Sequence, residues 1–349
     1  MKNITIIASL ISCSFFAQTN IEKLPSFYDQ SEGNKIVSVD MIGDGIEPYV
    51  IYTTFNHNDV KCKVWDGQDW TTFGVFPKLD NRGVVKIAKN KNDFYALAQT
   101  QNSWSVFKKE GDDWKAFGGD LIGAKDLSDP VFTFIDEVPV IYEVHYRNRN
   151  VIAYTYKGGK FQNITSILAG LGEVSSDFVM AGEKVDQMVL AFTQSGEKPQ
   201  IFDIEYSGSE ATEESITKGL KVKDLNTIEA LFYSKGKLRM FYFNNSWELQ
   251  AAIFDKSSKK WEIIGQTEVI DELGFYLAND LSFVSKDRDS DLPVFYKYNG
   301  KNWNKGIEIG SEKIYQGREV LLAEGLGQYY LLHFDGSGEK TIVQKITID

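Results

Sequence analysis

Apolar and polar residues alternate along this chain in short runs, and spacings of three and four residues that would mark amphipathic helices are scarce. Side chains of an extended chain point alternately to opposite faces, so each run predicts a strand. The first set falls at 36–41, 49–54, 60–65 and 70–73. A second follows at 84–88, 94–98, 104–108 and 114–117, and a third at 131–135, 138–144, 151–156 and 161–164. The next two sets have their first strands near 177–181 and 227–233. Strands at 281–285 and 293–298 are clear in the sixth, where 303–315 supplies one or two more. The last set reads 319–323, 328–333 and 341–348, and the chain stops before a fourth strand.

An aromatic-glycine-aromatic turn punctuates these sets about every 45 residues, a period made of short strands that predicts a β-propeller. It reads Trp65-Asp66-Gly67-Gln68-Asp69-Trp70, Lys109-Glu110-Gly111-Asp112-Asp113-Trp114, Tyr156-Lys157-Gly158-Gly159-Lys160-Phe161 and Tyr298-Asn299-Gly300-Lys301-Asn302-Trp303. Looser copies run from Tyr206 to Ala211 and from Phe254 to Trp261. The glycines suit a tight hairpin between third and fourth strands, and the aromatics suit packing between neighbouring blades. Trp65, Trp70, Trp114 and Trp303 hold this position and read as core residues. The segment Ile21 to Phe27 is available as the fourth strand of the last set, which would close the ring. The expectation is an all-β fold, one seven-bladed propeller over 19–349, with six blades if the last two sets merge.

Composition agrees: 13% of residues are aromatic, with 23 Phe and 17 Tyr against 5 Met. A formal charge of −11 repels polyanions and argues against nucleic acid and anionic membranes as partners. Residues 1–18 carry an early Lys2, an apolar run from Ile4 to Phe16 and then Ala17, the layout of a secretory signal peptide and too short for a transmembrane span. Leu10-Ile11-Ser12-Cys13 also resembles a bacterial lipobox, which would anchor the protein through Cys13. If Cys13 leaves with the leader, Cys62 remains alone in an alternating strand, a buried small hydrophobe with no disulfide partner.

Glu47-Pro48-Tyr49-Val50-Ile51-Tyr52 through Trp70, and Val138-Pro139-Val140-Ile141-Tyr142 through Gly158, resemble a repeat of secreted bacterial β-propeller proteins. The resemblance implies the fold and an exported location and leaves activity open. Fucose-binding lectins and sialidases are also propellers, but the Ser-x-Asp-x-Gly-x-Thr-Trp box of sialidases is not matched by Trp65 to Trp70.

Candidate chemistry lies in the loops. The loop between the second and third strands of the third set alternates Glu143, His145, Arg147 and Arg149, while His57 falls in the matching loop of the first set and Arg82 in the connection to the second. Such a cationic patch suits a carboxylated sugar or an acidic peptide, and a solvated hairpin tip is the competing reading. Trp247, after Asn244-Asn245-Ser246, stands outside the repeat register and suits stacking on a sugar face. Two acidic stretches, Asp40 with Asp44 and Asp287 with Asp289 and Asp291, are expected between first and second strands. The former resembles a degraded calcium loop of integrin-type propeller repeats; converging carboxylates would bind Ca²⁺, and solvated turns are the alternative. No Gly-x-Ser-x-Gly elbow, His-Glu-x-x-His or phosphate-binding loop is present, and no cofactor is implied. The reading favours an exported, monomeric, non-enzymatic module that binds a glycan or a cell-surface protein. The alternative is a carbohydrate-active hydrolase or lyase with its site at the mouth of the central channel.

Overall fold

The computed structural model describes residues 19–28, 35–45, 47–55, 57–79, 83–100, 103–121, 127, 130–145, 150–163, 174–184, 187–194, 199–207, 210–221, 224–234, 236–269, 276–278, 280–287, 289–304, 306–315, 320–335, 337–338 and 340–348. The segment 1–18 expected as a leader, Cys13 included, lies outside them, as do Arg82, Arg147 and Arg149.

Seven four-stranded antiparallel sheets make up the fold, and in six of them the strands pair in chain order. Strand β1 (Thr19–Leu24) comes first in the chain but belongs to the last blade. Blade 1 is β2 (Ile36–Asp44), β3 (Glu47–Thr54), β4 (His57–Trp65) and β5 (Trp70–Thr72). Blade 2 is β6 (Val85–Asn90), β7 (Asp93–Gln99), β8 (Trp104–Glu110) and β9 (Asp113–Asp120). Blade 3 is β10 (Val131–Ile135), β11 (Val138–His145), β12 (Asn150–Lys157) and β13 (Lys160–Asn163). Blade 4 is β14 (Val174–Lys184), β15 (Gln187–Gln194), β16 (Gln200–Ser207) and β17 (Glu210–Ser215). Blade 5 is β18 (Leu225–Ser234), β19 (Lys237–Asn244), β20 (Glu248–Asp255) and β21 (Lys260–Val269). Blade 6 is β22 (Tyr276–Leu277), β23 (Phe283–Lys286), β24 (Pro293–Tyr296) and β25 (Ile307–Glu308). Blade 7 is β26 (Leu321–Gly325), β27 (Gln328–Phe334) and β28 (Thr341–Ile348), with β1 as its outer strand.

Ring closure follows the sequence expectation. Strand β1 pairs with β28 from Thr19 opposite Ile348 to Leu24 opposite Val343, so the two chain ends complete one sheet. That covers an edge of β28 which would otherwise offer a row of unpaired backbone groups. Leu24, Phe27, Val343 and Phe334 then join Trp65 and Trp70 of blade 1 in one buried cluster. Closure is therefore a packing event as well as a ladder of hydrogen bonds.

The aromatic-glycine-aromatic turns are the hairpins between third and outer strands, as expected. Trp65 sits opposite Trp70, Tyr156 opposite Phe161 and Phe254 opposite Trp261, with ring centroids 5.7, 5.4 and 5.3 Å apart. Gly67, Gly111, Gly158 and Gly300 all take positive φ at these turns, where an L side chain would be strained.

The outer-strand tryptophans also bolt blades together. The indole N–H of Trp70 donates to Pro25 O at 2.7 Å, that of Trp114 to Phe73 O at 2.9 Å and that of Trp261 to Ile216 O at 2.7 Å. Each acceptor is the residue that follows the outer strand of the preceding blade. A buried Trp needs a partner for its N–H, and the repeat supplies one from its neighbour. Trp303 finds its partner within its own blade, donating to Leu281 O at 2.7 Å.

Blade 6 departs from the sequence reading. Its 281–285 and 293–298 segments were expected as first and second strands, but β23 and β24 are second and third. The true inner strand, β22, has two residues, too few for any alternation to show. Segment 303–315 supplies one strand, β25.

Candidate functional site

Inner strands run parallel around a propeller axis, so the second-to-third strand hairpins of every blade lie on one face. His57, His145 and Trp247, among the described candidates, stand at that face, spread over blades 1, 3 and 5. His57 opens β4 opposite Thr54, and His145 closes β11 opposite Asn150, so both stand at the base of equivalent hairpins in blades 1 and 3. Glu143 faces Ile152 across the same hairpin and is buried, which takes it out of any exposed patch. Arg82 belongs to the connection into blade 2; with Arg147 and Arg149 it lies outside the described residues.

Trp247 is the exposed tryptophan of this face, 40% exposed at the tip of the β19–β20 hairpin of blade 5; the face also exposes Phe55 in the β3–β4 hairpin of blade 1 (56%) and Tyr315 ahead of blade 7 (38%). Its φ of 60° is in the left-handed region, costly for a residue with a Cβ. The turn is held by Asn244, whose Oδ1 accepts the N–H groups of Ser246 at 2.9 Å and Glu248 at 3.0 Å. Asn244 Nδ2 donates to Glu248 Oε2 at 2.7 Å. The Asn244 amide thus builds the turn, leaving Asn245 and Ser246 as the exposed neighbours of Trp247. The other six tryptophans are all buried.

The acidic stretches divide. Asp40 and Asp44 lie on β2, because the expected loop is a strand that runs to Asp44 and turns only at Gly45. Four residues along an extended strand separate two side chains by about 13 Å, so their carboxylates do not converge. Asp40 Oδ2 accepts the Ile87 N–H at 2.8 Å and Asp44 pairs with Lys89, both on the inner strand of the next blade. Ser38 Oγ likewise accepts the Val85 N–H at 3.2 Å, so one face of β2 laces blade 1 to blade 2.

Asp287, Asp289 and Asp291 lie between β23 and β24, which corrects the expected loop. The slip of one strand in blade 6 puts them on the face opposite the β2–β3 turn. Asp287 Oδ1 accepts from the N–H of Asp289 at 3.0 Å and from the N–H and Oγ of Ser290, each at 2.8 Å. These bonds, the Ser290 N–H foremost, hold its carboxyl below the usual range. Asp291 Oδ1 accepts from the ammonium of buried Lys286 at 3.1 Å, and Oδ2 stands 3.7 Å from Lys313. The Lys286 bond lowers its carboxyl too. Among the described residues no group of three or more His, Cys, Asp or Glu is arranged to hold a metal ion.

Cys62 is buried and free, and burial pushes its thiol up, so it stays protonated and inert as expected of a packing residue. At the opposite end of the axis, the inner strands of blades 1, 2, 3 and 7 enclose a cavity of about 460 Å³. Its charged groups are committed: Lys89 to Asp44, and Glu324 Oε1 to the Gly327 N–H at 3.1 Å. A larger groove of about 650 Å³ runs along the outer edge of blade 1, a site missed in the sequence. No signal there marked it, because the fourth strand expected at 70–73 is as long as those at 114–117 and 161–164.

No helix among the described residues is long and apolar enough to cross a membrane. No protein-family model and no curated protein matches the sequence. In architecture the chain is similar to a polysaccharide lyase, an ulvan lyase bound to a GlcA(1-4)Rha3S ligand. Identity is 10%, coverage 93% of this chain and 95% of the lyase, and the TM-score 0.51. A lectin of Aleuria aurantia in complex with Fucalpha1-6GlcNAc is similar at 11% identity over 93% of this chain and 96% of the lectin, TM-score 0.44. SapL1 lectin with alpha methyl fucoside follows at 13% identity, 79% and 96% coverage and TM-score 0.47. At these identities the likeness is one of fold: the chain is a seven-bladed β-propeller.

Proposed function

We propose that the protein is an exported binding module that recognises a glycan through the hairpin face of its propeller, with Trp247 as the stacking platform. The observation that carries this reading is the contrast among the tryptophans: six are buried, and the seventh is held out at 40% exposure in a left-handed turn. Backbone strain at an exposed aromatic costs stability and is kept where a site uses it. The Asn244 hydrogen bonds fix the turn in advance, so binding would not have to order it. An indole offers a flat apolar face with one N–H donor, a match for a sugar ring with its apolar face and hydroxyl rim. His57, His145, Arg147, Arg149 and Arg82, from the loops of blades 1 and 3 and the connection into blade 2, would widen specificity of the same face toward carboxylated sugars. Known lyase and lectin propellers of similar architecture take saccharides, which is compatible with this reading.

Export is part of the proposal. The closing strand is described over Thr19–Leu24, so a cut after residue 18, as the leader reading expects, would retain that span. N-terminal sequencing of protein recovered outside the cytoplasm checks this, and lipidation at Cys13 would appear there as a blocked, membrane-bound form.

The test of function is a glycan array probed with the wild type and Trp247→Ala, with Ca²⁺ and with a chelator, followed by product analysis on each hit. Binding lost in the variant and unaffected by chelator supports the proposal. Turnover of a hit would move the assignment to a hydrolase or lyase, and loss in chelator would return Asp287, Asp289 and Asp291 to the argument.

A further inference from the structure

The outer edge of blade 1 is left half covered. Strand β5 has three residues against nine in β4, and the ladder between them ends at Lys63 opposite Thr72. One more bond follows, from the Phe73 N–H to Cys62 O at 2.8 Å. The chain then crosses to blade 2, where Val75 exchanges backbone bonds of 2.9 Å with Asp112 and Trp114. Among the described residues no strand lies beyond β4 alongside 57–61. Backbone groups alternate in direction along an antiparallel strand, and Cys62 O points outward, so the N–H and C=O of Val60 point outward too.

This edge opens into the groove of about 650 Å³. Tyr28 and Tyr52 line one side, and Phe76 and Pro77 the other. Lys61 and Lys78 stand exposed on opposite lips; among the described residues neither is paired with a carboxylate, and Asp59 is the one carboxylate lining the groove. Lys63, the third lysine, donates to Phe27 O at 3.1 Å. In a protein of net charge −11 this is a local reversal of sign, which favours an anionic partner.

We propose that the open edge of β4 takes up an extended acidic peptide segment of another protein as a fifth strand of blade 1. Its backbone would pair with Val60, and its alternating side chains would meet Lys61 on one side and Lys78 on the other. Backbone pairing supplies affinity in strand addition, and side-chain pockets supply choice. The site is separate from the Trp247 hairpin, which belongs to blade 5.

The probe is a fluorescein-labelled ten-residue peptide alternating Glu with Val and Thr, followed by anisotropy over a salt series. Binding that weakens with salt, and that falls at least tenfold in Lys61→Glu/Lys78→Glu, supports the proposal. Both lysines are exposed, so the variant keeps its fold, and unchanged glycan-array binding would confirm it. A central proline in the peptide should also cost at least tenfold, because proline cannot donate to a ladder. Four results would overturn the proposal. They are no binding of the acidic peptide, equal binding of its proline or all-lysine counterpart, capture of a uronate oligosaccharide by these lysines with the peptide idle, or a dimer in sedimentation that Lys61→Glu/Lys78→Glu dissociates.

Discussion

Trp261 and Trp247 belong to the same blade and share nothing else. Trp261 is 3% exposed, lies opposite Phe254 in the repeat hairpin and donates to Ile216 O of the preceding blade. Trp247 is 40% exposed at the other end of the sheet, in a left-handed turn whose bonds come from Asn244. The residue type is therefore silent about role; its register in the repeat decides. An indole in register closes a seam between blades, and one out of register at a hairpin tip is free to meet a ligand.

The strongest way to break the comparison is to truncate the bolt. Trp261→Ala should cost about 3–5 kcal/mol, the price of a large buried aromatic plus its cavity, read as a fall in the urea midpoint at unchanged slope. If the loss is no larger than that of Trp247→Ala, the two tryptophans are equivalent and the division fails. Trp261→Phe sharpens the point: it keeps most of the packing, and the unpaired Ile216 carbonyl and missing N–H should cost about 1–2 kcal/mol.

Gly219 tests the same seam from the other side. It takes φ of 93°, and an added Cβ would lie 2.7 Å from Trp261 O and 2.9 Å from Trp261 N. Gly219→Ala should destabilise by about 1–3 kcal/mol, through strain and overpacking against backbone that cannot yield. Thermal unfolding of the variant checks it, and an unchanged midpoint would show the seam to be loose.

Acid separates the frame from the platform. His333 is fully buried, its Nδ1–H donates to Phe334 O at 3.1 Å, and desolvation first of all lowers its pKa below 6.5. The unfolded chain then binds more protons than the folded one below pH 6.5, so stability is whole above that pH and declines as pH falls through it. His333→Gln should flatten this slope in denaturation measured from pH 7 to pH 5. Stacking on Trp247 involves no titrating group, so glycan affinity carried by it should hold over the range in which the fold survives.

The smallest effect on stability belongs to Trp247 itself. Trp247→Gly relieves the left-handed strain and loses a half-exposed contact with Phe243, whose ring centroid is 6.0 Å away, so the net change should stay within about 1 kcal/mol. Glycan affinity should fall at least tenfold, about 1.4 kcal/mol, in the same protein. Large destabilisation with intact binding would reverse the roles assigned to the two residues.

The architecture was legible wherever local signals repeat. Alternation and the aromatic-glycine turn placed the strands of blades 1 to 3 to within a few residues, and Ile21 to Phe27 was recognisable as the closing strand because the last blade lacked one. Blade 6 slipped by one strand, since Tyr276–Leu277 is too short to carry a period, and Asp287 to Asp291 moved to the other face with it. The site was less legible. Trp247 stood out by breaking register, but the burial of Glu143 and the use of Asp40 and Asp44 as laces to the next blade depend on neighbours far away in the chain.

By itself the sequence determined what depends on adjacent residues: strand periodicity, turn chemistry, a propeller of seven blades with six as the alternative, and the acidic balance of the chain. The tertiary structure alone decided what depends on residues brought together across the ring. Whether a carboxylate meets a backbone N–H of the next blade or solvent is settled by inter-blade register. Whether the edge of β4 is covered is settled by where a three-residue strand ends and the chain crosses away. Neither leaves a periodic trace, because each is set by a single non-local contact.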